Sequence, residues 1–353
     1  MEKMTNNFNI RKPYLIAGPC SAESEEQVIN IAREIQDIAD VFRAGIWKPR
    51  THPNSFEGVG EKGLKWLQRI KKETSLKVAT EVATPKHVEA CLKLEIDILW
   101  IGARTTVNPF YIQEIASALR GTNMPVFVKN PIHPDLGLWL GAFERLNKSG
   151  INDLSAIHRG FYSSQKSAFR NDPKWEMVIK LRKERQDIPI ICDPSHIAGD
   201  ATLIEDISQM AMDINLDGLM IETHDAPSSA MSDNKQQITP LVFKKIIKGL
   251  ILRDPELDDK IFMIELKNLR NKIDYFDSDI IELLKNRKDI VEEIGLFKKK
   301  NKLTIFQLER LYEILETRTS RASKLGLDTE MIEEIFELIH KYSILNQTRI
   351  MTK

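Results

Sequence analysis

Reactive and charged side chains follow the ends of several apolar, β-branched runs in this chain of 353 residues. These ends read Gly18-Pro-Cys-Ser21, Lys48-Pro-Arg-Thr51, Gly102-Ala-Arg104, Lys129-Asn130, His158-Arg-Gly160, Asp193-Pro-Ser-His196 and Glu222-Thr-His224. Thiol, imidazole and carboxylate groups are ligands of divalent metal ions, whereas arginine and lysine bind phosphate and carboxylate groups. The combination predicts a metal-assisted reaction on small molecules that carry phosphate and carboxylate groups.

The apolar runs themselves have the length and spacing of buried parallel strands. They cover residues 14–20, 41–48, 77–82, 98–103, 125–129, 154–161, 189–193 and 218–223. The segments between them have helical spacing, as in Val28, Ile31 and Ile35, which follow Ser24 and Gln27 in capping-box register. Eight strand–helix units of roughly 30 residues predict an α/β fold, a (β/α)8 TIM barrel, whose strand ends meet at one mouth. A doubly wound sheet is the alternative that the pattern leaves open.

The pattern changes after an acidic segment, 253–259, which follows a helix predicted over 240–252. Apolar residues at helical spacing then predict one amphipathic helix of up to about 40 residues. Two shorter helices are predicted over 305–322 and 329–351, where Gly326 can end the former and Asp328 can cap the latter. We therefore predict a barrel domain over 1–252, a linker over 253–259 and an all-α three-helix domain over 260–353. Because three helices of unequal length cannot bury the long apolar stripe, we expect an intertwined dimer.

Composition excludes several classes of function. The 51 lysine and arginine residues balance 51 aspartate and glutamate residues, which argues against non-specific binding of nucleic acid. Cys20, Cys91 and Cys192 lie in or beside predicted core elements, so we expect no disulfide framework. The first eleven residues are polar and no run of about 18 apolar residues occurs, so we expect a cytoplasmic protein with no membrane partner. Because the first predicted strand begins at residue 14, we also expect no regulatory domain before the barrel.

Several motifs in the barrel region together resemble one enzyme family. They are Ile16-Ala-Gly-Pro-Cys-Ser21, Lys48-Pro-Arg-Thr51, Ile101-Gly-Ala-Arg104, Cys192-Asp-Pro-Ser-His196, and Ile221-Glu222 followed by Ser232-Asp233. This set resembles 3-deoxy-D-arabino-heptulosonate 7-phosphate (DAHP) synthase in its short microbial, type I-beta form. The resemblance implies condensation of phosphoenolpyruvate with erythrose 4-phosphate, the first step of the shikimate pathway. The sister 8-phosphate synthase, which uses arabinose 5-phosphate, is the alternative, but its equivalent loop lacks the Lys-Pro-Arg-Thr run.

The resemblance also implies a metal site. Cys20, His196, Glu222 and Asp233 match the four ligands of the family and suit Mn²⁺, Fe²⁺, Co²⁺ or Zn²⁺, acting as a Lewis acid. A small core residue at Cys20 and a turn histidine at His196 are the structural alternatives.

Substrate contacts in the barrel are implied in the same way. Phosphoenolpyruvate would be bound through its carboxylate by Arg43, Lys48 and Lys129, and through its phosphate by Arg104, Arg159 and the amide of Ala103. Arg50 and Thr51 would hold erythrose 4-phosphate. Lys48 is the candidate proton donor, and His196 could assist it. Glu81 could orient one of the cations or be a structural carboxylate.

The helical region resembles the all-helical chorismate mutase. The resemblance is carried by Leu266-Lys-Asn-Leu-Arg270, Ile273-Asp274, Phe276-Asp277, Leu283-Leu-Lys-Asn-Arg287, Ile294-Gly-Leu-Phe-Lys298, Arg310 and Ser343-Ile-Leu-Asn-Gln347. It implies conversion of chorismate to prephenate without a metal, by holding a dicarboxylate in a reactive chair.

By position, Arg287 and the partner subunit's Arg270 would bind the two carboxylates of chorismate. Lys298 and Gln347 would donate to the ether oxygen, and Arg310 and Ser343 would complete the pocket. Two positions depart from the family, which usually has Asp and Glu where this chain has Gln307 and Leu311. Gln307 can still form a hydrogen bond to the substrate, and Leu311 cannot.

We therefore expect a bifunctional enzyme whose helical region also mediates feedback by prephenate or chorismate. A non-catalytic ligand sensor that dimerises is the alternative for the helical region.

Overall fold

A computed structural model of the chain describes residues 12–48, 56–164, 167–253 and 260–352. Contacts divide the chain into two compact units, Met1–Pro255 and Glu256–Lys353. No helix in the described residues is both long enough and apolar enough to span a membrane.

The first unit is a closed parallel barrel in which each strand pairs with its neighbour in sequence and β8 pairs with β1. Its strands are β1 (Tyr14–Gly18), β2 (Val41–Arg43), β3 (Lys77–Val82), β4 (Ile98–Ile101), β5 (Val126–Lys129), β6 (Leu154–His158), β7 (Ile190–Cys192) and β8 (Gly218–Glu222). The barrel prediction is confirmed, and the doubly wound sheet is excluded because β1 and β8 close the sheet.

Helices surround this barrel. They are α1 (Glu25–Ile35), α2 (Lys62–Glu73), α3 (Pro85–Lys93), α4 (Ala103–Thr106), α5 (Pro109–Ala118), α6 (Leu136–Lys148), α7 (Trp175–Glu184), α8 (Pro194–Ala198), α9 (Ile204–Asp213) and α10 (Pro240–Gly249). One apolar layer fills the barrel interior, with Ile16, Trp100, Phe127 and Met220 among its members. A larger layer packs the outer faces of the strands against the helices.

Most strands end before the apolar runs do, and this leaves the reactive residues on loops. β1 stops at Gly18, whose φ of +146° is strained for any residue with a side chain, and a Cβ there would collide with the backbone oxygen of Arg43. Glycine at this position therefore lets β1 and β2 approach closely just below the mouth. Beyond it, Cys20 lies outside the strand.

Aspartates that precede strands fix the register at the opposite end of the barrel. Asp40 accepts a hydrogen bond from the Leu15 amide at 2.7 Å, and Asp217 accepts one from the Ile190 amide at 2.7 Å. These bonds satisfy strand amides that would otherwise lack a partner. The N-terminal ends of the strands therefore stabilise the barrel, whereas the reactive residues lie at the mouth, at the C-terminal ends.

The described residues of the second unit, 260–352, form three helices, α11 (Lys260–Lys300), α12 (Leu308–Lys324) and α13 (Thr329–Thr352), and both α11 and α12 pack against α13. The turn between α12 and α13 follows the prediction. Gly326 has a φ of +69°, and Asp328 Oδ1 accepts from the Met331 amide at 2.9 Å. Large apolar side chains on α11 remain exposed within the chain, among them Ile273 at 58%, Phe276 at 62% and Leu283 at 66%.

Candidate functional site

Three of the four predicted metal ligands lie together at the mouth of the barrel. Cys20 Sγ and carboxylate oxygens of Glu222 and Asp233 all lie within 4.8 Å of one another. Cys20 follows β1, Glu222 ends β8, and Asp233 lies in the loop after β8. The fourth, His196, is outside this group but adjacent to it, because its Nε2 lies 3.9 Å from Glu222 Oε1.

The chemistry of these groups fits a divalent metal ion. His196 Nδ1 is 3.0 Å from Asp193 Oδ1, an arrangement that leaves Nε2 as the ligating nitrogen. Burial lowers the pKa of His196 although the charge of Asp193 opposes it, so the imidazole is neutral, as a ligand must be. A thiol, an imidazole and two carboxylates form a donor set that suits borderline ions.

The protonation of Cys20 also bears on that fit. Burial, together with the negative charge of Glu222, raises the pKa of the Cys20 thiol to about 12. The thiol lies 3.3 Å from Asp233 Oδ2, to which it donates a hydrogen bond. Without a cation at the site Cys20 therefore keeps its proton near neutral pH.

Basic and amide side chains balance the two clustered carboxylates. Arg43 Nη1 donates to Glu222 Oε1 at 2.7 Å, in a pair that is almost completely buried. Gln236 Nε2 donates to Glu222 Oε2 at 2.7 Å, and Arg170 Nη1 donates to Asp233 Oδ1 at 3.0 Å. Burial opposes ionisation of Glu222, but the positive charges of His196, in its protonated form, and of Arg43 lower its pKa below the ordinary value. Glu222 is therefore held as a carboxylate in the absence of a metal.

Gln237 connects the two loops that carry Cys20 and Asp233. Its Oε1 accepts from the Cys20 amide at 2.9 Å, and its Nε2 donates to the Ser232 oxygen at 2.8 Å. The hydroxyl groups of Ser21 and Ser232 lie 2.6 Å apart and add a second bridge. Since all these bonds are buried, the positions of Cys20 and Asp233 are coupled through a dry network.

Lys48 and Lys129, both predicted to bind phosphoenolpyruvate, make charged contacts near the cluster. Lys48 Nζ lies 3.0 Å from Cys20 Sγ and 3.0 Å from the Cys20 backbone oxygen. Burial lowers the pKa of Lys48, but the charge of Cys20 in its ionised form and the charge of Glu222 more than offset it and raise the pKa above its ordinary value. Lys129 Nζ forms a buried pair with Asp193 Oδ2 at 2.8 Å. Both lysines therefore lie beside groups that ligate or orient the proposed metal.

The predicted phosphate-binding residues lie at the ends of β4 and β6. Arg159 Nη1 donates to Asn171 Oδ1 at 2.8 Å, and burial lowers the pKa of its guanidinium to about 10. Arg104 is exposed and makes no hydrogen bond or ion pair with another described residue. Ala103 is the first residue of α4. Arg104 and Arg170 both depress the pKa of Arg159 electrostatically, so the three guanidinium groups share one region.

The guanidinium of Arg43 lies against an aromatic ring, that of Trp100. Its guanidinium carbon lies 4.7 Å from the centroid of Trp100, and its buried Nε has no hydrogen-bond partner in the described part of the chain. Trp100 Nε1 donates to Glu81 Oε2 at 3.1 Å, while Glu81 packs so closely on Gly102 that a Cβ there would collide with it. Glu81 is therefore linked to Arg43 through the Trp100 ring. Arg50 and Thr51, the predicted contacts for erythrose 4-phosphate, lie outside the described residues.

The helical unit brings four of the predicted chorismate residues together. Arg287 Nη1 donates to Ser343 Oγ at 2.7 Å, and Lys298 Nζ donates to the Ile305 oxygen at 2.7 Å. Lys298, Ser343 and Gln347 are buried, and Gln347 Oε1 has no hydrogen-bond partner among the described residues. A cavity of about 290 Å³ adjoins Arg287 and Ser343.

The remaining predicted residues of the helical unit are exposed within one chain. Arg270, Gln307 and Arg310 are all exposed, and Arg310 pairs with Glu313 at 2.6 Å. Burial lowers the pKa of Arg287, as does the neighbouring charge of Arg318. Burial also lowers the pKa of Lys298. The cluster therefore contains two partly desolvated cations, and one amide oxygen in it lacks a partner among the described residues.

Sequence reasoning missed several residues of both clusters. These are Arg170, Gln236 and Gln237 in the barrel and Arg318 and His340 in the helical unit. The two glutamines follow Asp233 closely, but glutamine in a polar loop is ordinary and gives no signal. Their contacts become visible only when the loop conformation is known.

Both units resemble families of known proteins. Residues 9–251 match the DAHP synthetase I family, and residues 269–348 match the type II chorismate mutases. Over 241 residues the chain is 33% identical to phospho-2-dehydro-3-deoxyheptonate aldolase of Thermotoga maritima. This alignment covers 67% of this chain and 68% of the relative. Over 266 residues the chain is 30% identical to 2-dehydro-3-deoxyphosphooctonate aldolase of Wolinella succinogenes. This alignment covers 67% of this chain and 97% of the relative.

Solved structures give the same result for the barrel. A crystal structure of the Thermotoga maritima phospho-2-dehydro-3-deoxyheptonate aldolase superposes with a TM-score of 0.61 at 31% identity and covers 67% of each chain. A truncated form of 3-deoxy-D-arabino-heptulosonate 7-phosphate synthase from the same organism has a TM-score of 0.59 at 27% identity. It covers 74% of this chain and 88% of that chain.

Proposed function

The chain belongs to the DAHP synthetase I family and carries a fused type II chorismate mutase, and from this we propose how its residues perform the two reactions. The barrel joins phosphoenolpyruvate to erythrose 4-phosphate and releases phosphate. The helical unit rearranges chorismate to prephenate. The finer assignments below rest on the geometry at the two clusters.

The barrel reaction depends on a divalent metal ion held by Cys20, His196, Glu222 and Asp233. The observation that carries this proposal is the convergence of Cys20, Glu222 and Asp233 within 4.8 Å beside two cations, with Cys20 and Glu222 buried and Asp233 half-buried. When bound, the ion supplies Lewis acidity toward the aldehyde oxygen of erythrose 4-phosphate.

The cations at the mouth bind phosphoenolpyruvate. A ligand with about three negative charges requires several desolvated positive groups, and the planar guanidinium can bind an oxyanion in a bidentate manner. Arg104 and Arg159 bind the phosphate with the Ala103 amide. The unpaired Nε of Arg43 is available to the carboxylate, together with Lys48 and Lys129.

Lys48 is the proton donor in the condensation. Its raised pKa keeps the amine protonated, and its Nζ lies 3.0 Å from Cys20 Sγ, beside the proposed position of the aldehyde. In the condensation C3 of phosphoenolpyruvate attacks the aldehyde carbon, and negative charge develops on the aldehyde oxygen. Lys48 donates its proton to that oxygen, and the attack leaves C2 electron-deficient. Water adds at C2 and returns one proton to Lys48, and the C2–O bond to phosphate then breaks, with the remaining proton leaving on phosphate, to give the 2-keto product.

A paired assay of the full-length protein tests this assignment. A chelator should abolish the condensation and leave the chorismate reaction unchanged, since only the former uses the Cys20 cluster. Restoring Mn²⁺, Fe²⁺, Co²⁺ or Zn²⁺ should restore the condensation. Equal inhibition of both reactions by the chelator would contradict the metal site.

The sister reaction on arabinose 5-phosphate is the second candidate for the barrel, favoured by the identity to the Wolinella succinogenes relative. The run Lys48-Pro-Arg-Thr51 favours erythrose 4-phosphate, with Arg50 and Thr51 as its contacts. Rates with the two aldose phosphates decide between them. A higher kcat/KM with arabinose 5-phosphate would reverse the assignment.

In the helical unit the chorismate carboxylates are bound by Arg287 and by Arg270 of a second copy. Lys298 and Gln347 donate to the ether oxygen, while Ser343, Arg310 and Gln307 complete the pocket. Desolvated cations stabilise the partial negative charge of the transition state more strongly than exposed ones. Consumption of chorismate by the full-length protein separates this proposal from a non-catalytic sensor.

We also propose a homodimer formed through α11. The exposed apolar side chains of that helix, Phe276 and Leu283 among them, form a stripe that one three-helix unit leaves open to solvent. A second copy would cover the stripe and bring its Arg270 near the first copy's Arg287. Solution mass by analytical ultracentrifugation tests this, and a monomer at micromolar concentration would contradict it.

A further inference from the structure

His340 belongs to a polar stripe on α13 that lies within the helical unit. His340, Ser343 and Gln347 are spaced three and four residues apart, so they share one face of the helix. Ser343 on this face contacts Arg287 of α11. Polar side chains at core-facing positions of a helical bundle are costly unless they are paired or bind a ligand.

Two atoms of this stripe lack a partner. His340 Nε2 and Gln347 Oε1 are both buried without a hydrogen bond to any described residue. Gln347 is 7% exposed, so solvent does not compensate for its missing bond. A buried, unpaired polar atom costs about 1 to 3 kcal/mol, which a bound ligand with complementary groups would recover.

The surroundings of His340 connect it to the proposed chorismate pocket. Its ring lies 6.3 Å from that of Phe306, in an edge-on arrangement, and the neighbouring Ile305 oxygen accepts from Lys298 at 2.7 Å. His340 and Leu311 line a second cavity of about 350 Å³, whose lining does not include Arg287 or Ser343. Burial lowers the pKa of His340, and the charges of Arg287 and Lys298 lower it further. The imidazole is therefore neutral near pH 7 and can form a hydrogen bond to an uncharged group.

We propose that His340 is a further substrate-binding residue of the mutase, whose Nε2 forms a hydrogen bond with the ring hydroxyl of chorismate. This rests on the chorismate assignment of the helical unit. The proposed site already provides Arg270 and Arg287 for the carboxylates and Lys298 and Gln347 for the ether oxygen. Those four residues leave the ring hydroxyl without a partner, and Leu311, on the wall of the cavity that His340 lines, cannot form a hydrogen bond with it.

The test compares chorismate with its analogue that lacks the ring hydroxyl, using full-length protein. H340A should lower kcat/KM for chorismate about tenfold, the effect of one lost hydrogen bond. The same substitution should leave kcat/KM for the deoxy analogue nearly unchanged, because that substrate has no group for Nε2 to bind. H340Q, which keeps a hydrogen-bonding side chain, should recover part of the activity.

Glu334, exposed on a different face of α13, provides the matched control, and E334A should behave as the parent with both substrates. An equal loss of kcat/KM by H340A with both substrates would show that His340 has a structural role and would overturn the proposal. An unchanged kcat/KM with both substrates would also overturn it. The binding of prephenate, which keeps the hydroxyl, provides a readout that does not need turnover. If the parent binds prephenate but does not consume chorismate, the mutase assignment fails. The contact of His340 is still tested in that case, because H340A should bind prephenate with a Kd roughly tenfold higher than that of the parent.

Discussion

The protonation states of Cys20 and of the other three proposed ligands predict how many protons are released when a metal ion binds. The thiol has a pKa of about 12, whereas His196 is neutral and the pKa values of Glu222 and Asp233 lie below their ordinary ones. At pH 7 only Cys20 must therefore lose a proton to become a ligand. Metal binding should release about one proton per site, and metal affinity should rise about tenfold per pH unit below the thiol pKa.

Calorimetry in buffers of different ionisation enthalpy measures this release. The C20S variant should release no proton and should bind Zn²⁺ and Co²⁺ much more weakly than the parent, because the soft ligand is lost. Proton release by C20S equal to that of the parent would remove Cys20 from the ligand set.

Arg287 carries the corresponding prediction in the helical unit. Its guanidinium is partly buried against Ser343, and R287A should remove a desolvated charge from the carboxylate clamp. The barrier for chorismate rearrangement should rise by on the order of 2 to 5 kcal/mol, measured as kcat/KM. Lys285, exposed on the same helix and paired with Asp289, is the control, and K285A should retain the parent rate. Normal turnover by R287A would show that the helical site is misplaced.

At the scale of elements, Gln237 holds the loop after β8 against the loop after β1. In Q237L the Cys20 amide and the Ser232 oxygen would lose their partner, and the two loops carrying Cys20 and Asp233 could separate. We expect metal affinity, measured by competition with a chelator, to fall about tenfold, the usual effect of a lost outer contact. Q237E, which keeps the acceptor for Cys20, should lose less. A metal affinity equal to that of the parent in both variants would mean that the network does not position the ligands.

The elements could be predicted where hydrophobic periodicity is strong. The β/α alternation predicted the barrel, and the helical period of the second region predicted α11, α12 and α13 with their intervening cap at Asp328. Strand ends were less predictable, because the apolar run from 41 to 48 continues past Arg43, where β2 ends. Apolar loop residues at the mouth are buried by packing against neighbouring loops, and a one-dimensional pattern cannot separate them from strand residues.

The outer contacts of the sites were not predictable from types and spacing. Ser24 caps α1 as the capping-box register predicts, because its Oγ accepts from the Gln27 amide at 3.1 Å. The reciprocal bond differs, since Gln27 Oε1 accepts from the amide of Glu23 and not from that of Ser24. Gln236 binds Glu222 whereas the adjacent Gln237 binds the Cys20 amide, because the loop geometry turns the two side chains in different directions. Motif resemblance supplied residues with strong chemical roles, and these families are confirmed by the comparisons. Long-range hydrogen bonds of ordinary amides require coordinates.

At the scale of the whole molecule, one chain carries an early reaction and a unit that binds products formed later. We predict that prephenate, bound in the helical unit, lowers the rate of the barrel reaction. Linkage requires that prephenate bind the less active state of the chain more tightly, and a typical coupling free energy is about 1 to 3 kcal/mol. Because coupling is reciprocal, saturating phosphoenolpyruvate should weaken the binding of prephenate by the same factor.

Titration of prephenate into the barrel assay tests the coupling, with R287A in the full-length chain as the decisive variant. Since Arg287 lies in the helical unit, its loss should shift the inhibition curve to higher prephenate while leaving the uninhibited barrel rate unchanged. K285A should be inhibited as the parent is. If prephenate instead competed directly at the barrel mouth, where Arg104 and Arg159 attract anions, R287A and the parent would respond equally. That result, or no inhibition of the parent, would eliminate control through the helical unit.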